Sequence, residues 1–265
     1  DTLQETVSVF ATSTYGIESL AAHTDGTIYF VNGTERNQVW RIKTEAGVRK
    51  TTLFAGGPSY QSGDTDATGD AARFNGPTGV AVDSLGNVFV ADSKNHRIRR
   101  ITPGGEVTTF AGSTQGDRDD TGTAAQFSLP KELAIDAQNN LYVADAGNRR
   151  IRKITPGGVV TTLAGGTVFG LDPDEAVASA AKIKEPLAIA VTPDGESVFF
   201  MDIYALRQVV NGRVVTLAGS ELSGTADGVG ATAAFNLARG MTVLPDGNLM
   251  IADSLNHRLR RLVLP

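Results

Sequence analysis

The sequence predicts an all-β fold, a five-bladed β-propeller built from four-stranded antiparallel blades. The first observation is a stretch of four short apolar runs, Pro77–Ser113, which is repeated almost unchanged at Pro130–Gly166. The second is the make-up of those runs, which are rich in Val, Ile, Phe and Thr and separated by Gly, Asn and Pro. Such runs are typical of strands joined by tight turns. Four antiparallel strands that recur at a long period form a propeller blade.

The elements follow one another in the same order in every copy. In the first clear copy the apolar runs are Val80–Val82, Val88–Ala91, Ile98–Ile101 and Val107–Ala111. Less faithful copies occupy Ile17–Gly57, Pro186–Ser220 and Arg239–Pro265, and the last of these stops after its third strand. Thr6–Thr12 has the alternation of a fourth strand, so we expect this N-terminal strand to close the last blade. Five units in 265 residues average about 53 residues each, close to kelch length.

The repeat predicts one domain over residues 1–265, because each four-stranded sheet needs a neighbour on either side to bury both faces. The chain is 41% hydrophobic, has 30 glycines and contains no stretch of 18 apolar residues that could span a membrane. The absence of Cys excludes a disulfide framework, a thiolate metal site and a cysteine nucleophile. It also fits an extracytoplasmic location (secreted, periplasmic or cell-surface), which we expect.

A family resemblance lies in the segment GNVFVADSKNHRIRRIT and its echoes GNRRIRKIT and LNHRLRRLV, which resemble the NHL repeat. The loops between blades are similar to those of bacterial and teneurin-type members, with the pattern Gly63, Asp66, Gly69, Ala72, Phe74 and two further copies. The resemblance implies that each blade runs from the axis to the rim. It also implies that the inter-blade loops and the loops between second and third strands share one face, here called the top face. Members of this family mostly bind proteins, glycans or RNA, and a minority are enzymes.

The aspartates of the inter-blade loops, Asp66, Asp119 and Asp227, raise the question of calcium. Calcium sites need several oxygen ligands, and each loop offers one or two carboxylates. The favoured interpretation is structural: the aspartate caps backbone N–H groups of its own turn, and the Phe eight residues on fills the groove between blades. We therefore predict no cofactor, with calcium as the alternative. We predict no metal site either, because His96 and His257 occupy matching positions in different blades and cannot converge on one zinc ion.

A basic stretch marks the third strand of three blades, as in Arg97, Arg99 and Arg100. The favoured interpretation is a solvated outer strand whose arginine stems cover apolar surface. The formal charge of -5 and the lack of interleaved aromatic residues argue against nucleic acid as a partner.

The residues at the start of each innermost strand are the candidate ligand-binding residues, because they should ring the top mouth of the central channel. Two interpretations stay open: the mixed charges bind a polar ligand or a partner's side chain, or they pair with one another across the opening. Tyr204, in a shortened loop, is added as an exposed aromatic residue, and Tyr60 is a weaker candidate. The predicted set is Glu18, Thr78, Lys131, Glu132, Arg239 and Tyr204.

Three functions are compatible with this sequence. The favoured one is a non-catalytic recognition module that binds a protein or glycan through the top-face loops and the channel mouth, because the loops vary while the frame is regular. The alternative is a metal-assisted hydrolase or lyase working at the axis; Glu18 and Glu132 are the acids available there, and Lys131 and Arg239 would repel a cation. The third is a structural spacer within a larger multidomain surface protein.

Overall fold

The computed structural model describes residues 16–58, 60–166, 170 and 176–264. It contains five antiparallel sheets, one for each blade. Apart from one short added strand in the fourth sheet, strands that are consecutive in the sequence pair with each other. The predicted all-β, five-bladed β-propeller is thereby confirmed. The innermost strands of successive blades contact one another from the first blade to the fifth, so they surround a central channel.

The strands of each blade are numbered along the chain. Blade 1 consists of β1 (Ser19–Ala22), β2 (Ile28–Asn32), β3 (Gln38–Glu45) and β4 (Val48–Ala55). Blade 2 consists of β5 (Pro77–Val82), β6 (Val88–Asp92), β7 (Arg97–Ile101) and β8 (Val107–Ala111). Blade 3 consists of β9 (Pro130–Ile135), β10 (Leu141–Asp145), β11 (Arg150–Ile154) and β12 (Val160–Ala164).

The remaining two blades depart slightly from this pattern. In blade 4 the short strand β13 (Ala176–Val177) adds to the outer edge of β14 (Pro186–Val191), β15 (Val198–Asp202), β16 (Ala205–Val210) and β17 (Arg213–Gly219). Blade 5 has three described strands, β18 (Gly240–Val243), β19 (Leu249–Asp253) and β20 (Arg258–Leu262).

Helical structure is limited to single turns in the loops. The one α-helical turn of the described residues, α1, covers Gly33–Arg36. Turns of 3₁₀ helix occupy Gly69–Ala71, Ser93–Asn95, Gly122–Ala124, Ala146–Asn148, Ala178–Ala180, Gly230–Thr232 and Ser254–Asn256. Within the described part of the chain no helix is long and apolar enough to cross a membrane.

The core lies between neighbouring blades rather than inside any one of them. The second strands β6, β10 and β15 are buried at every residue, because both faces of each blade are covered. Phe74 packs between blades 1 and 2, and Phe127 packs between blades 2 and 3. Both rings are fully buried, as the loop pattern predicted.

A buried arginine on the third strand ties each inter-blade loop to its blade. Arg99 donates to Asp92 Oδ2 at 2.8 Å and also bonds Asp66, while its guanidinium lies 5.3 Å from the centre of the Phe74 ring. Arg152 repeats the arrangement in blade 3 with Asp145 at 2.8 Å and Asp119 at 2.5 Å. Because Arg99 and Arg152 are 0% exposed, the interpretation of these arginines as a solvated outer strand was wrong.

The loop aspartates therefore have a different structural role from the one predicted. Asp66 accepts the backbone N–H of Thr109 on β8 at 3.0 Å as well as the Arg99 guanidinium. Its capping partner is thus in the fourth strand and not in its own turn. Among the described residues, no cluster of three or more His, Cys, Asp or Glu side chains is placed to hold a metal ion.

The outer side of blade 5 is more open than its counterparts. Leu259 on β20 is 75% exposed, whereas the equivalent Ile98 and Ile151 are fully buried. The predicted closing strand, Thr6–Thr12, lies outside the described residues.

Candidate functional site

A cavity of about 450 Å³ opens at the top mouth of the central channel. Three of its polar lining residues, Glu18, Glu132 and Arg239, were predicted for this place, and Ser19 is a fourth. The walls are apolar and come from the innermost strands of the blades: Leu20, Val80, Leu133, Ile189 and Met241. An apolar enclosure with a few convergent polar groups is the usual construction of a ligand site.

Glu132 is the most unusual group in this cavity. The Ser19 hydroxyl donates to its Oε1 at 2.9 Å, and the Leu133 amide donates to the same oxygen at 3.2 Å. Ser19 Oγ in turn accepts the Val80 amide at 3.3 Å, so one hydroxyl joins blades 1, 2 and 3. Ser19 was missed at the sequence level, because a lone serine at the start of a strand carries no signal of its own.

Burial raises the pKa of the Glu132 carboxyl to about 8, and the hydrogen bonds that it accepts offset only part of this effect. No lysine or arginine charge among the described residues contributes to stabilising its ionised form. Most of the population is therefore protonated at neutral pH, and the carboxyl can then both donate and accept a hydrogen bond.

The other predicted mouth residues divide between different places. The Thr78 hydroxyl donates to the backbone oxygen of Lys131 at 2.7 Å, so it joins two innermost strands. Lys131 lines a separate cavity on the top face, between blades 3 and 4. Tyr204 is half-buried beside a small recess of about 30 Å³, so the expectation of an exposed aromatic residue was wrong there. Tyr60 is 68% exposed and lies under the Arg36 guanidinium, 5.0 Å from its ring centre.

The histidines contribute to the frame of the molecule. His96 ends the 3₁₀ turn before β7 in the left-handed region, with a φ of 57°. Its Nδ1 accepts the Leu129 amide at 3.1 Å, which links blade 2 to the loop that leads into blade 3. Burial lowers the pKa of His96. His96 therefore lies in the turn before the third strand, as predicted.

Comparison with known proteins shows a similarity to proteins with NHL repeats. The NHL repeat matches residues 74–101. Teneurin-m of Drosophila melanogaster is 26% identical over 90% of this chain and 10% of its own length. NHL repeat-containing protein 2 of Homo sapiens is 32% identical over 51% of this chain and 20% of its own length. The chain thus spans a small part of these relatives.

The solved structures share the fold. An auxiliary nutrient binding protein from Bacteroides ovatus superimposes with a TM-score of 0.69 at 16% identity, over 95% of this chain and 60% of that chain. At this identity the likeness concerns the fold alone. The matched repeat, the relatives that share it and the five-bladed architecture make this chain similar to NHL-repeat proteins.

Proposed function

We propose that this propeller is a non-catalytic recognition module that binds a protein or glycan through its top face and the mouth of its channel. The observation that carries the proposal is Glu132, a half-buried titratable group in the apolar mouth of the channel, where desolvation raises its pKa. Strongly perturbed acids in concave sites cluster at functional positions. Such a residue also lowers stability at neutral pH, and proteins retain that kind of cost mainly where function requires it.

The chemistry of the mouth suits a polar ligand with apolar parts. Glu132 and Ser19 present hydrogen-bonding groups at the wall, Arg239 presents an exposed side chain at the rim, and the surrounding side chains offer apolar contact. The fold neighbour that is named as an auxiliary nutrient binding protein supports ligand binding in general. The proposal includes an extracytoplasmic location, which fractionation of cells that express the full-length protein will test.

A binding screen with matched variants tests the proposed site. The wild-type protein is applied to a glycan array and to a panel of extracellular proteins, and any ligand found is titrated by calorimetry. We expect the double variant Glu132→Gln with Arg239→Ala to lower the affinity for that ligand at least about tenfold, which corresponds to about 1.4 kcal/mol. Glu196→Gln, an exposed acid in the turn at the opposite face, serves as the control. A ligand that binds the double variant as tightly as it binds the wild type would refute the mouth as its site.

A further inference from the structure

A second cavity, of about 220 Å³, lies on the top face at the junction of blades 3 and 4. It is separate from the channel mouth, and its lining is strongly basic. Three of the residues around it are cationic and one is acidic: Lys131, Arg149, Lys184 and Glu185. Leu129 and Gly147 complete much of the wall.

The repeat itself provides the comparison that makes this charge informative. Lys131 is the second residue of its innermost strand, Arg149 ends the 3₁₀ turn with a φ of 56°, and Lys184 stands two residues before the strand-opening proline. The equivalent residues at the junction of blades 2 and 3 are Thr78, His96 and Ser128, and at the junction of blades 4 and 5 they are Leu187, Ile203 and Asn236. At both neighbouring junctions none of these three positions carries a permanent charge. At the junction of blades 3 and 4 all three are cationic.

The open space also has a local cause. In blade 2 the corresponding turn carries Lys94, whose side chain covers Gly76 at the top of the junction. Blade 3 has Gly147 at that position. A Cβ there would lie 2.4 Å from Ser128 Oγ and 2.7 Å from the Ser128 carbonyl oxygen, so a larger residue does not fit. The Gly147 amide donates to that carbonyl at 2.8 Å, as the Lys94 amide does to Asn75 at 3.1 Å. Gly147 has no side chain, so the surface above its turn is left uncovered.

We propose that this cavity binds the anionic group of a ligand, a carboxylate, phosphate or sulfate. An arginine offers a planar pair of donors to such a group, and lysines add compact point charges. The Lys184 ammonium is held 3.3 Å from Glu221, whose side chain is 62% exposed. The Lys184 side chain is itself 18% exposed, and Glu221, its partner, is the solvent-facing member of the pair, so an incoming anion can compete with Glu221 for the ammonium. The acid Glu185 leaves two positive charges in excess on the lining.

This inference extends the proposed top-face recognition to a site of its own, and the two can fail separately. Substitutions at the channel mouth leave the basic cavity intact, and substitutions in the basic cavity leave Glu132 and Arg239 unchanged.

The test is titration of the protein with inorganic phosphate, sulfate, glucuronate and neutral glucose at low ionic strength, followed by calorimetry and by the backbone amide signal of Gly147. Lys131→Gln and Lys184→Gln are compared with Lys94→Gln, which removes the same charge from the top face one blade away. We expect Lys131→Gln and Lys184→Gln each to lower the affinity for the anions about tenfold. Lys94→Gln should leave that affinity unchanged, and glucose should not bind. The ranking of glucuronate against phosphate and sulfate identifies the preferred group. If no anion binds the wild type, or if Lys94→Gln weakens binding as much as Lys131→Gln, the proposal is overturned.

Discussion

Replacement of Glu132 by Gln should make the protein more stable at neutral pH and leave it nearly unchanged in acid. The glutamine keeps an oxygen for the Ser19 hydroxyl and the Leu133 amide, the two groups that bond Glu132 Oε1. It cannot ionise, so it removes the titration alone. The variant therefore isolates the free energy that the buried acid costs the fold.

The magnitude follows from the difference between the two pKa values. The carboxyl has a pKa of about 8 in the fold, against an ordinary value of 4.5. A folded-state pKa above the unfolded one means that the fold binds the extra proton, so stability falls as the pH rises from the lower value to the higher. At pH 7, about 2.5 pH units above the ordinary pKa, ionisation of this carboxyl stabilises the unfolded chain by about 3 kcal/mol. At pH 5 the same calculation gives less than about 1 kcal/mol.

The assay is urea denaturation of the wild type and Glu132→Gln at a series of pH values between about 5 and 8. We expect the variant's advantage to grow with pH toward the ceiling of about 3 kcal/mol at pH 7, a ceiling because solvent in the channel reduces the desolvation. Glu196→Gln removes an equal charge from an exposed turn and controls for net charge. A stability difference that stays constant across this pH range would contradict the argument.

Three further predictions concern the frame. Arg99→Ala should lose about 3–5 kcal/mol in denaturation, because it leaves Asp92 buried and unpaired, whereas Arg97→Ala at an exposed pair should lose less than about 1 kcal/mol. The contribution of His96 to stability should be lost as the pH drops below about 6.5, because protonation breaks its bond to the Leu129 amide; in the Glu132→Gln background, which removes the opposite trend of Glu132, His96→Asn should reduce this loss in melting curves, and an unchanged slope would refute the assignment. If Thr6–Thr12 is the fourth strand of blade 5, Val9→Pro should lower stability by about 2 kcal/mol, and a melting temperature equal to that of the wild type would refute this closure.

The architecture could be predicted from the sequence because every blade repeats the same constraint. Apolar runs at fixed spacing must be buried on both faces, and only neighbouring copies can cover them. The buried arginines could have been predicted in the same way. The second strand ends in an aspartate in blades 2 to 5 and in Asn32 in blade 1. An arginine follows that aspartate seven residues later in three of these four blades: Asp92 and Arg99, Asp145 and Arg152, Asp253 and Arg260.

The directions of the mouth side chains could not be predicted. Adjacent residues on a regular strand point to opposite faces, but the pairing of β9 with β10 shifts between Val143 and Asp145, opposite Lys131 and Glu132. The same shift occurs at the start of the innermost strands of blades 2 and 4, so it is a feature of the repeat. Alignment of the repeats grouped Lys131 with Glu132, but in the fold the two side chains line different cavities.

Blades 2 and 3 together explain why both candidate sites involve blade 3. Their strands and buried pairs are nearly identical, so the frame does not require the residues in which they differ. Several of those differences fall on the top face, where Thr78, Gly79, Lys94 and His96 are replaced by Lys131, Glu132, Gly147 and Arg149. Gly79 is itself constrained, because a Cβ there would lie 2.5 Å from the Lys131 carbonyl oxygen. At position 132 an ionisable side chain is accommodated in the channel instead, and its cost in stability increases as the pH rises from about 4.5 to about 8. Blade 2 has the same frame without these residues, and for this reason we propose that they serve binding rather than the fold.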